Sequence, residues 1–252
     1  MKPTAAERLL GRVVRRLQEV DSTQAELGRL ADRGAPEGTI VSAEHQTRGR
    51  GRRGRQWLDA PGESLLVSIL LRPAVEPARV PQLSLVAAVA VVDALQTGPA
   101  VRALIRWPND VLLDGRKACG ILPEASTADG RLRYVLLGIG LNVNQADFPP
   151  EIRDRATSLR LASGVPQDRD ALLERLLDAL DARYAEFRAR GFAGLRSEWL
   201  RRAATIGQRV RAPGGDEGVA VDLDEDGALL VRGDGGAVIR IVSGEPVHAP
   251  GH

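Results

Sequence analysis

The chain has 252 residues, 43% of them hydrophobic, and its 35 basic and 33 acidic side chains leave a formal net charge of only +2. This size suits one large domain with room for a small one, and the charge balance argues against a protein that coats nucleic acid. One cysteine excludes an internal disulfide, and neither a long apolar run nor a signal-peptide core stands in the sequence, so we expect a cytoplasmic protein that does not enter a membrane.

The first hundred residues predict helices alternating with strands. Asp21 or Ser22 can cap a helix that ends at Gly34. The run SLLVSILL is apolar throughout, which is typical of a central buried strand. In chain order, the expected elements are a short helix over 3–13, a helix from 22 to 34, strands over 39–46 and 64–73, and a buried helix over 80–96.

Residues 101–144 predict four closely spaced strands joined by Asp-Gly turns at 114–115 and 129–130. Residues 168–191 then place leucines and aromatic residues at helical spacing, with Asp170 as the expected cap and Gly191 as the stop.

The pattern changes near Thr205. From there to Pro250 the chain runs in short, alternating segments separated by glycines, which is typical of a small antiparallel barrel of about fifty residues. The sequence therefore predicts an α+β domain over residues 1–203 followed by a small β domain over residues 204–252.

The segment RGRGRRGR, residues 48–55, holds five arginines and three glycines, so this one loop carries more than the whole net charge. A solvated charge run and a nucleic-acid patch are two interpretations. A third is a loop that closes over a small anionic ligand. Glycines would let its backbone approach the ligand, and arginines would supply planar donors for phosphate or carboxylate oxygens.

Lys117 stands out because the chain has only one other lysine, Lys2, among its 35 basic residues. A chain that uses arginine elsewhere and lysine here suggests a need for a compact point charge. The competing interpretation is an exposed lysine on a strand. In the nearby sequence WPND, Trp107 fits either a core residue or the wall of a nucleotide site. Asn109 and Asp110 fit either a turn or the orientation of Mg²⁺-bound phosphates.

Four stretches carry a family resemblance when they are taken together: DSTQ (21–24), EHQTRGRGRRGRQW (44–57), RWPNDVLLDGRKACGILPE (106–124) and GIGLNVN (138–144). Their order and spacing resemble the biotin–protein ligase family, whose members activate biotin with ATP and attach it to a lysine. The resemblance implies a mixed-sheet catalytic domain of the biotin/lipoate ligase type followed by a small SH3-like β-barrel. One departure is Arg106, where the family commonly has lysine.

The resemblance also implies roles for individual residues. Lys117 and Arg52 would be catalytic, and Asp110 would be a possible Mg²⁺ contact. The implied biotin-binding residues are Ser22, Thr23, Gln24, Gln46, Arg50, Gly51, Arg52 and Lys117. The implied ATP- or adenylate-binding residues are Arg50, Arg52, Arg55, Trp57, Trp107, Asn109, Asp110, Lys117 and Asn142.

The function implied is formation of biotinyl-5′-AMP and transfer of biotin to a lysine of a biotin carboxyl carrier protein. ATP, Mg²⁺ and biotin would take part, with no tightly bound prosthetic group, in a monomer or homodimer. Some family members repress transcription through an N-terminal DNA-binding domain of about 60 residues. Only 21 residues precede Ser22 here, so we expect no operator binding. The alternative function is a lipoate or octanoate ligase or transferase of the same fold.

Overall fold

The computed structural model describes residues 8–96, 101–211, 215 and 217–242, and within them the strands form two sheets. Three single 3-10 turns lie at Arg52–Gly54, Pro77–Arg79 and Phe192–Gly194. The strands are β1 Val13–Val20, β2 Thr39–Gln46, β3 Ser64–Leu71, β4 Ala103–Arg106, β5 Asp110–Leu113, β6 Arg116–Ala128, β7 Arg131–Asn142, β8 Arg209–Arg211, β9 Glu217–Leu223, β10 Leu229–Gly233 and β11 Val238–Ile241. The helices are α1 Thr23–Asp32, α2 Gln82–Gln96, α3 Leu159–Ser163, α4 Arg169–Arg190 and α5 Arg196–Arg201.

The larger sheet has seven strands in the order β1-β2-β3-β7-β6-β5-β4. β1 and β2 run parallel and all other neighbours run antiparallel, so the sheet is mixed. β3 is buried at all eight positions, as its apolar sequence predicts. The two Asp-Gly turns are also confirmed: in each of them, both residues have positive φ, the geometry that a two-residue hairpin requires.

Helices cover the two faces of this sheet unequally. α2 and α4 pack on one face, and α2 is buried at every position except Asp93 and Gln96. The segment Pro77–Gln96 is long and apolar enough to span a membrane, but 78% of its most apolar window is buried inside the protein, so it is a core helix. α1 packs against β2, β3 and β7 on the opposite face and leaves part of that face open.

The smaller sheet is antiparallel with the order β11-β10-β9-β8, which confirms the predicted small β unit and is consistent with an SH3-like domain. Its apolar residues join the core of the larger unit, and polar contacts add to this packing. The Trp107 indole N–H donates to the carbonyl of Gly227 at 3.0 Å, and Arg196 reaches the carboxylate of Asp222 at 2.5 Å.

Three local predictions differ from the structure. The predicted opening helix lies partly outside the described residues, and residues 8–12 form a turn that leads into β1, a strand the sequence did not reveal. β1 is an edge strand with mostly exposed side chains, so it lacks the alternation that marks a half-buried strand. Helix α4 is capped by Asp168 rather than Asp170, because the Asp168 carboxylate accepts the N–H groups of residues 170 and 171.

Candidate functional site

A cavity lies on the part of the sheet that α1 leaves open, and glycines form its floor. Gly120 on β6 pairs with Gly140 on β7, and Gly138 lies two residues before Gly140. The residues that line the cavity are Thr23, Gln24, Gln46, Arg50, Gly51, Arg52, Arg55, Gln56, Trp57, Val67, Asn109, Asp110, Lys117, Gly120, Ile121, Leu122, Gly138, Ile139 and Gly140.

The floor must be glycine because large side chains rest directly on it. A Cβ at position 140 would lie 2.6 Å from the Trp57 ring, and one at position 138 would lie 2.6 Å from the Gln24 side-chain oxygen. At position 120 a Cβ would come within 2.8 Å of the same indole. Glycine at these three positions therefore lets the Trp57 and Gln24 side chains lie directly against the strands.

One end of the cavity is neutral and rich in hydrogen bonds. The Gln46 side-chain oxygen accepts both the backbone N–H of Thr23 at 2.8 Å and its hydroxyl at 3.0 Å. That hydroxyl also lies 2.8 Å from the hydroxyl of Ser68. The Gln24 amide donates to the carbonyls of Leu122 and Leu136. These buried side chains are fixed by their neighbours, so this end offers preorganised polar groups.

The other end is charged and centres on Asp110. Its two carboxylate oxygens contact two cations, Lys117 Nζ at 2.6 Å and Arg106 Nη2 at 2.7 Å. The Lys117 ammonium also lies 5.8 Å from the centre of the Trp57 ring. The Lys117 side chain is thus held inside the cavity by its contact with Asp110 and is not a free lysine on the surface of a strand.

The arginine-rich loop folds over this end as a small hairpin. Trp57 N–H donates to the Gly49 carbonyl, and Gly51 N–H donates to the Arg55 carbonyl. Arg52 reaches into the cavity and donates to the Asn109 side chain at 3.0 Å. Arg50, Arg52 and Arg55 line the cavity. Arg53 lies instead in the exposed turn of the hairpin, where its φ is 56°.

Two residues that the sequence interpretation missed hold the base of this loop. His45 Nδ1 lies 2.8 Å from a carboxylate oxygen of Asp59, whose side chain is only 1% exposed. The contact joins the end of β2 to the segment that follows Trp57, so both arms of the loop are fixed. Neither residue belongs to a repeated pattern, and no signal in the sequence pairs them.

Three predicted site residues lie outside the cavity lining. Ser22 is buried ahead of α1 and makes no side-chain capping bond. Trp107 is 3% exposed and packs in the main core. The Asn142 amide donates to the Thr157 carbonyl at 3.0 Å, beneath the site. Gln56, Val67 and Leu122 line the cavity but were not assigned to the site from the sequence. Gln56 and Leu122 lie within the quoted stretches, whose pattern does not single them out, and Val67 is one apolar residue of a buried strand.

Cys119 lies one residue from the floor glycine at 120 and is fully buried. Burial raises the pKa of its thiol, and the charge of the nearby Lys117 only partly opposes that shift. A thiol held protonated in the core is not a nucleophile. Cys119 is therefore an inert core residue.

The arrangement does not fit a metal held by the protein alone. Both carboxylate oxygens of Asp110 are engaged by cations, and the described part of the chain contains no cluster of three or more His, Cys, Asp or Glu side chains suited to a metal ion. The predicted Mg²⁺ contact at Asp110 therefore has no supporting ligand set.

Comparison with known proteins agrees with the geometry. Residues 16–142 match the model of the biotin/lipoate A/B protein ligase family, and residues 205–248 match the model of the biotin protein ligase C-terminal domain. The chain is 40% identical over 218 residues to the bifunctional ligase/repressor BirA of Bacillus subtilis, an alignment that spans 84% of this chain and 67% of that protein.

Two further relatives align over more of their length. The biotin–[acetyl-CoA-carboxylase] ligase of Paracoccus denitrificans is 39% identical over 87% of this chain and 94% of its own. The structure of the Aquifex aeolicus biotin protein ligase in complex with biotin and ATP superposes with a TM-score of 0.81 at 33% identity, covering 93% of this chain and 97% of that one. With a family model matched over half its length and relatives of this similarity, the chain belongs to the biotin/lipoate A/B protein ligase family and, within it, to the biotin–protein ligases.

Proposed function

We propose that this enzyme activates biotin with ATP and transfers it to a lysine of a biotin carboxyl carrier protein. A biotin carboxylate oxygen attacks the α-phosphorus of ATP, which releases pyrophosphate and leaves biotinyl-5′-AMP. The ε-amine of the carrier lysine then attacks the acyl carbon and releases AMP. The observation that carries the proposal is one cavity that joins a neutral, hydrogen-bonding end to a cationic end.

The neutral end suits the ureido ring of biotin, which offers one carbonyl acceptor and two N–H donors. Thr23, Gln24 and Gln46 supply polar groups at that end, and all three are held by hydrogen bonds. We assign the biotin ring to this end. Ser22 then supports α1 from below rather than contacting the ligand, since it lies outside the lining.

The cationic end suits the reacting carboxylate and α-phosphate, two anions that repel each other. Fixed positive charges that lower this repulsion are the natural catalyst for such a step. We assign Lys117 and Arg52 to the reacting groups, and Arg50, Gly51 and Arg55 to closure of the loop over them. Trp57, Asn109 and Asp110 complete the nucleotide end, and Asn142 braces its floor. Mg²⁺ enters with ATP, bound mainly by its phosphates.

The remaining parts of the proposal concern the whole enzyme. We place the catalytic biotin- and ATP-binding domain in residues 1–203 and a small β-barrel domain in residues 204–252, in a cytoplasmic monomer or homodimer. The proposal includes no repressor activity, because the net charge of +2 and the mixed sign of the charges away from the arginine loop do not favour DNA binding.

Transfer to a carrier tests this proposal. The enzyme is incubated with ATP and either biotin or lipoate, together with a biotin carboxyl carrier domain or a lipoyl domain as acceptor. We expect a mass increase only for biotin on the carrier domain. Modification of the lipoyl domain by lipoate at a comparable rate would overturn the assignment of the neutral end to the ureido ring.

A further inference from the structure

Trp107 connects the small C-terminal sheet to the cavity without lining it. Its indole N–H donates to the Gly227 carbonyl at 3.0 Å, and its backbone N–H donates to the hydroxyl of Thr205 at 2.9 Å. Both acceptors lie within the C-terminal segment, and both contacts are buried. Trp107 is therefore held from the C-terminal side by its ring and its backbone.

The turn at Gly227 packs closely against the larger unit. Its φ of +81° favours glycine, and a Cβ there would lie 2.3 Å from the Leu85 side chain on α2. The same Cβ would lie 3.3 Å from the Phe192 ring. The residue that supplies the acceptor carbonyl thus lies directly against α2.

The residues that follow Trp107 lead directly into the charged end of the cavity. The carbonyl of Pro108 accepts the Ser84 hydroxyl at 3.0 Å. Asn109 accepts from Arg52 and donates to the carbonyl of Ile121, and Asp110 contacts Lys117 at 2.6 Å. Only one residue separates Trp107 from Asn109, so the backbone couples a shift of the tryptophan to this corner.

We propose that Trp107 is a positioning residue through which the C-terminal sheet sets the Asn109–Asp110 corner and, through it, Arg52 and Lys117. This inference rests on the proposed function and assigns Trp107 to support rather than to the nucleotide wall. The neutral end of the cavity is built separately, by α1, β2 and the hydroxyl of Ser68 on β3. Loss of the Trp107 contacts therefore impairs the ATP-dependent step and spares biotin binding.

Trp107→Phe tests this, with Trp199→Phe as its matched control. Trp199 is fully buried, but its indole nitrogen has no hydrogen-bond partner among the described residues, so its replacement removes packing without removing such a bond. We expect Trp107→Phe to lower kcat/KM for ATP in biotin-dependent pyrophosphate exchange about tenfold. This factor corresponds to the free energy of one lost buried hydrogen bond. The Kd of this variant for biotin should stay within about twofold of wild type. Trp199→Phe should lower Tm and leave both constants near wild type.

A second pair acts on the backbone contact and keeps the test independent of Trp107 packing. Thr205→Ser retains the hydroxyl acceptor and Thr205→Val removes it, so only Thr205→Val should lower kcat/KM for ATP. Equal kinetics in the two Thr205 variants, or equal loss of biotin and ATP constants in Trp107→Phe, would overturn the positioning role. Absence of biotin-dependent exchange in the wild type would instead overturn the proposed function itself.

Discussion

Lys117 is the residue on which the proposed chemistry depends most. Its ammonium lies between the Asp110 carboxylate and the Trp57 ring, where a point charge fits and a wider guanidinium would have to move one of them. We expect Lys117→Arg to slow adenylate formation by roughly two to three orders of magnitude, as expected for a lost preorganised donor. Arg116→Lys, at the exposed neighbouring position, is the control. Near-normal pyrophosphate exchange in Lys117→Arg would show that the lysine is not catalytic.

Gly140 tests the glycine floor. A methyl group there would displace the Trp57 indole, which lies against the floor beside Lys117. We expect Gly140→Ala to lower kcat/KM for both substrates by about a hundredfold, since small displacements at a reacting centre have effects of that size. Gly235→Ala is the matched control, because a Cβ at that position would contact nothing within 4 Å. Equal activity of the two variants would refute the close contact.

Cys119 gives a prediction about reactivity at the same scale. Because burial raises the pKa of its thiol, the native enzyme should resist alkylation by iodoacetamide at neutral pH. Mass spectrometry should show a single addition only after denaturation. Rapid alkylation of the folded enzyme would mean that β6 opens far more readily than its buried position indicates.

The arginine-rich loop is the element whose state should depend on ligand. Residues 53–55 are exposed and Arg52 is half-buried. The cations of the loop repel each other, and little buried surface holds the loop in one conformation. We expect trypsin to cleave within residues 48–55 of the free enzyme and to cleave more slowly in the presence of biotin and ATP. Identical cleavage rates would contradict closure of the loop over the ligand.

Arg52 provides the matching substitution in this loop. It is the loop arginine that donates to Asn109, so it links the loop to the corner of the site. We expect Arg52→Ala to weaken retention of the adenylate by about 1–3 kcal/mol, the range for one charge-assisted contact, with little change in Tm. The measurement is the release rate of biotinyl-5′-AMP into solution. An unchanged rate would remove Arg52 from the assigned contacts.

Elements with a strong hydrophobic periodicity were predictable from the sequence, and elements without one were not. The bounds of β2 were predicted without error, and the apolar stripe of α4 is the buried face of that helix. β1 was missed because an exposed edge strand has no hydrophobic alternation, and α5 was missed because six residues carry too few repeats. Which aspartate caps α4 depends on the path by which the backbone enters the helix, and the local sequence pattern does not specify that path.

The candidate site was also predictable only in part, through its motifs. Residues in dense motifs, such as Arg52 and Lys117, were placed in the cavity by the fold. Trp107 belongs to a dense motif as well, but its side chain points to the core, and the motif alone does not distinguish these orientations. Contacts between a motif residue and a residue outside every motif, such as that between His45 and Asp59, are visible only after folding.

At the scale of the whole molecule, acid should weaken the C-terminal sheet. Burial acts to raise the pKa of Asp224, but hydrogen bonds from Arg240 and from backbone N–H groups outweigh it and leave the pKa below its ordinary value. A carboxyl with a lowered pKa stabilises the fold above its ordinary pKa, and this contribution is lost as pH falls through the folded value. We expect Tm to fall as the pH drops below about 4, and Asp224→Asn to reduce that fall. A Tm that is insensitive to acid would contradict the pairing.

The central claim is that one cavity brings biotin and the α-phosphate of ATP together. The most direct test is exchange of labelled pyrophosphate into ATP by the wild-type enzyme, measured with biotin, with lipoate, with octanoate and with no acid. Our account predicts exchange that requires biotin and is at background with the other acids. Exchange with lipoate or octanoate at the rate seen with biotin, or no exchange with biotin, would contradict it.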